Sequence, residues 1–177
     1  MKQQVLDKSF VPYLSKESID AAVARIAGEI NRDYIDKKPL FIAILNGSFM
    51  FAADLFKQIK IPAEITFIKL ASYKGTSSTG TVVTSIGLEA DLYQREVIIV
   101  EDIIDTGKTM HEFLPQIKHQ QPNSLKICSL LHKKEATQYP LVIDYLGFEI
   151  PNLFVVGYGL DYDGFGRNLD QIMQIEG

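Results

Sequence analysis

Residues 97–110 read VIIVEDIIDTGKTM: an apolar run ends in two adjacent carboxylates, Glu101 and Asp102, followed by Asp105 and then by Thr106, Gly107, Lys108 and Thr109. A nucleoside-triphosphate loop with the same Gly-Lys-Thr ending needs a glycine five positions before that Gly, and here Asp102 stands there. Acids at 102 and 105 would also repel a polyphosphate, so they call for another partner. Neutral hydroxyls suit them: adjacent carboxylates at a strand end accept hydrogen bonds from a diol such as the 2′ and 3′ pair of a ribose. The turn from Asp105 to Thr109, leading into a helix, aims backbone N–H groups and the positive end of a helix dipole at an anion. One short segment thus has the chemistry to hold a ribose together with its 5′-phosphate. The plainer alternative makes the acids a solvated strand end and Asp105 or Thr106 only a helix cap.

Other stretches have an ordinary reading of their own. Lys133 and Lys134 in LLHKKEA read as a solvated turn, and Phe154 in NLFVVGY as core packing. The LNGS of residues 45–48 contains the Asn-Gly of a hairpin turn, although it follows an apolar run. SYKGTSSTG, residues 72–80, has the composition of a solvated, mobile loop. His111, His119 and His132 lack the spacing and company of a transition-metal site and read as surface residues.

These residues need elements to place them. In SKESIDAAVARIAGEINRDYID, Ile19, Val23, Ile26 and Ile30 recur at helical spacing behind Ser15 as cap. PLFIAIL reads as a buried strand, FMFAADLFKQI as the helix after it, AEITFIKL as the next strand, and residues 72–88 as a loop leading into an extended arm. VIIV and LKICSLL are further strands, with a helix over 108–118 in which Pro115 sits where it would kink or end the helix. LVIDYLGFEI and LFVVGY follow, then a tail rich in Gly and Asp. The alternation predicts an α/β fold, a central, mostly parallel sheet flanked by helices. Ligands of such sheets bind beyond the carboxyl ends of the strands, where Asn46 to Ser48 and Glu101 to Thr109 would lie.

The 177 residues, 46% of them apolar, suffice for one core and one domain. A net charge of −4 with 18 basic residues spread along the chain gives no footprint for nucleic acid or anionic lipid, so a small molecule is the expected partner. Cys128, the only cysteine, lies in an apolar run and reads as a small buried hydrophobe. No apolar run approaches the ~18 residues of a membrane span, and residues 1–10 lack an apolar signal core. The expected location is the cytosol.

VIIVEDIIDTGKTM resembles the phosphoribosyl pyrophosphate (PRPP) motif of the type I phosphoribosyltransferases, in particular of the hypoxanthine-guanine enzymes, and the resemblance runs from about Leu40 to Arg167. It implies a core of about residues 15–150 with a small hood from about 1–14 and 151–177. It implies further that Glu101 and Asp102 hold the ribose hydroxyls, that Asp105 to Thr109 surround the 5′-phosphate, and that Asp105 is the general base toward N7 of the purine. Lys133 is assigned to the purine 6-oxo group, which favours 6-oxopurines over adenine. Phe154 would stack on the ring, and the Val155 backbone would meet its hydrogen-bonding edge. Mg²⁺ would lie with Asp161, Glu101 and Asp102, with Asp161 also near the purine, and Arg167 would contact pyrophosphate. Asn46 and Gly47 fall in the pyrophosphate loop, where the family usually has Lys in place of Asn46 and often a non-proline cis peptide. Lys69 stands where many relatives have Arg, giving up its bidentate fork. Ser72 and Tyr73 would belong to a lid that shields the reaction from water. The implied reaction joins PRPP to hypoxanthine or guanine, giving IMP or GMP and pyrophosphate, in a homodimer or homotetramer. A nucleic-acid-binding regulator on the same fold would show a basic surface; the acidic balance, with Lys133, Phe154 and Asp161 in place, favours the enzyme.

Overall fold

The structure, a computed structural model, describes residues 2–72, 82–86 and 88–176. Strands β1 (Gln3–Val5) and β2 (Lys8–Leu14) precede helix α1 (Lys16–Asp33), which buries Ile19, Val23, Ile26 and Ile30 on one face. The Ser15 hydroxyl caps α1 by accepting the Ser18 N–H at 3.3 Å. Then follow β3 (Leu40–Leu45), α2 (Phe49–Phe56), β4 (Glu64–Ser72), β5 (Val82–Ile86), β6 (Glu96–Ile104), α3 (Lys108–His119), β7 (Ser124–His132), β8 (Tyr145–Glu149), β9 (Val155–Val156) and β10 (Ile172–Ile175).

Among the described residues the larger sheet has the order β5-β4-β3-β6-β7-β8, antiparallel only where β5 joins β4. The central strands are apolar nearly throughout because both faces are covered. On one face Ile26, Phe51 and Leu55 of α1 and α2 pack with Phe41, Ile98 and Val100; on the other, Met110, Phe113 and Ile117 of α3 pack with Ile42, Ile99 and Ile127. Each such side chain stabilises the fold by about 1.5–3 kcal/mol through burial. From β3 the chain moves outward to β4, then returns to β6 on the other side of β3 and continues to β7 and β8. The crevice between the carboxyl ends of β3 and β6 is therefore the switch point where α/β sheets bind ligands. At the β8 edge, Arg25 of α1 donates from Nη2 to the carbonyls of Leu146 at 2.7 Å and Gly147 at 3.2 Å.

A smaller antiparallel sheet, β1-β2-β10-β9, joins the two ends of the chain around Val5, Phe10, Val156 and Met173. The helix expected over 108–118 forms as α3 and runs through Pro115 to His119, the exposed proline lying off the buried face that Phe113 and Ile117 anchor on either side. Two expectations need correction. The strand expected from Leu141 starts only at Tyr145; ahead of it the Asp144 carboxylate accepts the Ile127 N–H at 2.9 Å, taking the place of a strand carbonyl. LFVVGY contributes only Val155 and Val156 as strand, since Gly157 turns the backbone at φ +99°. Ser72 closes β4, and Tyr73 with the rest of the expected lid up to residue 80 lies outside the described residues.

Candidate active site

The turn after β6 begins a cleft of about 250 Å³ lined by Glu101 to Thr109 together with Ile44, Leu70 and Met110. Gly107 precedes α3 at φ +80°, and a Cβ there would stand 2.5 Å from the Tyr139 carbonyl oxygen, so only glycine fits. The turn then enters a helix whose first residues, Lys108, Thr109 and Met110, line the cleft, and the Thr106 hydroxyl accepts the Lys108 N–H at 3.3 Å. A larger cavity of about 430 Å³ lies beyond α3 against Leu114, Leu125 and Tyr139. Its lining includes His111 and Pro115 but none of the residues expected to bind substrate, so the chemistry belongs to the smaller cleft.

Glu101 and Asp102 are both buried, 8% exposed each. Burial first, and then the charge of Asp102, hold the Glu101 carboxyl well above the usual carboxylate range. Asp102 faces the loop after β3: a Cβ on Gly47 would fall 1.7 Å from Asp102 Oδ2, so Gly47 lets the carboxylate lie against the backbone. That loop is a strand-to-helix turn and no hairpin. Its Leu45–Asn46 peptide is cis, as the resemblance led us to expect. Buried Ser48 donates from its hydroxyl to the Ile44 carbonyl at 2.6 Å, and Lys69 lies beside Leu45 in the parallel register of β3 and β4.

The parallel register of β6 and β7 sets Ile104 opposite His132, which makes the next residues, Asp105 and Lys133, neighbours. Lys133 Nζ donates to Asp105 Oδ2 at 2.9 Å. The lysine side chain is 9% exposed and the carboxylate 47%, so the ammonium reaches the cleft from beneath and is neutralised there. Lys133 is thus no solvated turn residue, while Lys134 is exposed. His132 departs from the surface reading too: it is half-buried, with Nε2 2.9 Å from the Thr137 hydroxyl. His111 is exposed, its ring 4.7 Å from that of Tyr139.

The segment after β9 forms the facing wall. Gly159, at φ +100°, crosses the β3 loop so closely that a Cβ would stand 2.0 Å from the Gly47 carbonyl oxygen. Tyr158 donates to Asp54 of α2 at 2.7 Å, fastening this wall to the core. Arg167 donates to the Gly159 carbonyl at 2.6 Å and pairs with Asp161 at 2.6 Å, and Asp161 also accepts the Gly164 N–H at 2.7 Å. Phe154, 43% exposed, lies 6.2 Å from Phe10 and 5.8 Å edge-on from Tyr162. Val155 beside it is buried in the β9–β10 pair. Asp161, expected at a cation together with Glu101 and Asp102, follows β9, whereas those two acids are neighbours on β6. Among the described residues no three His, Cys, Asp or Glu side chains gather around one point. Sequence reasoning missed Thr137, Tyr158 and Gly159; the Gly-rich tail was a signal only for the last.

A doubly wound sheet with a phosphate-ready turn and buried acids at its switch point is the arrangement of a sugar-phosphate-binding α/β protein. The sequence profile of the phosphoribosyl transferase domain matches residues 13–163. A hypoxanthine phosphoribosyltransferase of Buchnera aphidicola is 43% identical over 165 residues, covering 92% of this chain and 93% of its own. A hypoxanthine-guanine phosphoribosyltransferase of Aquifex aeolicus is 36% identical, covering 98% and 99%. The crystal structure of a hypoxanthine-guanine phosphoribosyltransferase from Bacillus anthracis superposes with a TM-score of 0.89 at 38% identity, over 94% of this chain and 98% of that one. The chain therefore belongs to the type I phosphoribosyltransferase family, within its hypoxanthine-guanine group.

Proposed function

We propose that this chain works in purine salvage, transferring the 5-phosphoribosyl group of PRPP to N9 of hypoxanthine or guanine and giving IMP or GMP with release of pyrophosphate. The observation that carries the reading is the Asp105–Lys133 pair beside the phosphate turn. A 6-oxopurine offers its O6 and N7 side by side on one edge. The ammonium donates to O6, and the carboxylate accepts the proton of N7, which makes N9 a better nucleophile toward C1′. Adenine carries a donor at position 6 and would leave the buried lysine unpaired.

The amides of Thr106 to Thr109, with the Lys108 ammonium, hold the 5′-phosphate, and Glu101 and Asp102 accept from the ribose hydroxyls. As C1′ separates from pyrophosphate the sugar gains positive charge, and the Asp102 carboxylate stabilises it. Arg167, freed from Asp161, and the backbone at Asn46 and Gly47 receive the leaving pyrophosphate. Among the described residues the buried acids Glu101 and Asp102 form no ion pair, which suits a hard cation that keeps most of its waters. Those two and, once released from Arg167, Asp161 of the facing wall would hold Mg²⁺, which when bound would neutralise charge on pyrophosphate. Phe154 offers its exposed face to the purine, with the Val155 backbone at the ring edge. Ser72 and Tyr73 are assigned to closure over the site.

We further read the chain as one domain, a core of about residues 15–150 and a hood from about 1–14 and 151–177, an interpretation that the Gly47–Gly159 crossing supports. It is assigned to the cytoplasm, acting as a homodimer or homotetramer without nucleic-acid or membrane partners. Exposed Phe49 and Phe67, on α2 and β4, are surface that a second copy could cover. Among the described residues no helix is long and apolar enough to cross a membrane.

The test mixes the purified protein with PRPP, Mg²⁺ and each of hypoxanthine, guanine, xanthine and adenine, and follows nucleotide formation by ultraviolet absorbance. Turnover of hypoxanthine and guanine but not adenine is expected. Protein that binds PRPP yet turns over no base would instead favour a regulator.

A further inference from the structure

We propose that Thr137 is a positioning residue that keeps Asp105 and Lys133 at the separation a purine edge requires; the inference rests on the roles given to those two residues above. Three successive carbonyls, starting at the last residue of β6, face the loop that follows β7. The Ile104 carbonyl accepts the Lys133 N–H at 2.9 Å, and the Thr106 carbonyl accepts the N–H groups of Gln138 at 2.9 Å and Tyr139 at 3.0 Å. Between them, the Asp105 carbonyl faces the Thr137 hydroxyl at 3.4 Å. A side chain thus fills the rung that the backbone leaves out.

The same hydroxyl lies 3.2 Å from the Lys133 carbonyl and 2.9 Å from His132 Nε2. Carbonyls only accept, so the hydroxyl is the donor toward both; toward His132 the imidazole tautomer sets the direction. The hydroxyl thus links His132 to the backbone of both purine-facing residues.

The arrangement matters once substrate arrives. The Asp105–Lys133 ion pair itself fixes the spacing of the two groups. A purine edge that inserts between them ends that contact, and the backbone rungs alone then hold both side chains in place. Removing the Thr137 rung should therefore be felt by the base and not by PRPP.

The experiment compares the parent with T137V, which keeps the shape and loses the hydroxyl, and with T137S, which keeps the hydroxyl. We expect T137V to lower kcat/KM for hypoxanthine about tenfold, a modest share of what misplaced reacting groups can cost. Its KM for hypoxanthine should rise, with KM for PRPP and Tm unchanged, and T137S should restore the parental values. Parental kinetics in T137V would overturn the proposal. So would an equal loss in T137S, or a loss falling alike on both substrates. If T137V does not fold, T137A is measured against T137S and read the same way. A parent without turnover would sink the functional reading and this role with it, whereas an active parent with an indifferent T137V sinks this role alone.

Discussion

Asp105 carries two loads, one structural and one chemical. Its carboxylate neutralises Lys133 at 2.9 Å, and its proposed task is to take a proton from the purine. Asp105→Asn keeps the shape and a contact to the ammonium through the amide oxygen but cannot act as a base. We expect kcat to fall by about 10²–10⁴-fold, the usual worth of general acid–base catalysis, while PRPP affinity measured by calorimetry changes little. Near-parental turnover would remove Asp105 from that role.

At the scale of elements, each wall of the site depends on a turn that only one residue type permits. Gly107 combines φ +80° with the Tyr139 carbonyl packed over it. Gly107→Ala should therefore cost about 1–3 kcal/mol of stability, read by urea unfolding, and weaken PRPP binding by displacing the amides that follow. Unchanged urea midpoint and PRPP affinity would show that the loop relaxes around the new methyl group. This turn was legible in the sequence because strand, acids, glycine and helix are consecutive. The Asp105–Lys133 pair was not legible from the residues, since it depends on β6 and β7 pairing in parallel with Ile104 opposite His132; only the family resemblance brought the two to one purine. Thr137 gave no signal, because a hydroxyl that bridges two carbonyls has no pattern along the chain. The smaller sheet was likewise not legible from the residues, its strands coming from opposite ends of the sequence, and only the family resemblance joined those ends in a hood.

For the whole molecule, buried tyrosines set the alkaline limit. Burial pushes the Tyr34 hydroxyl up to about 12. Burial, followed by hydrogen bonds to Asp33 and Asp54, raises Tyr145 and Tyr158 further. Below about pH 10, the ordinary tyrosine value, all three are protonated whether folded or unfolded, and stability does not depend on them. Above it the unfolded chain ionises while the folded one does not, so stability falls as pH rises through that window. Urea midpoints should be flat to about pH 9.5 and decline beyond, with the tyrosinate absorbance of these three appearing together with unfolding. Tyrosinate that develops fully in the folded protein near pH 10 would contradict this burial. Arg25 bears on the molecule in company with its own kind. A sheet edge with unused carbonyls is a template on which a strand of another chain can grow, and in crowded solution that growth leads toward fibres. By occupying the Leu146 and Gly147 carbonyls, the guanidinium closes this part of the β8 edge to such recruitment.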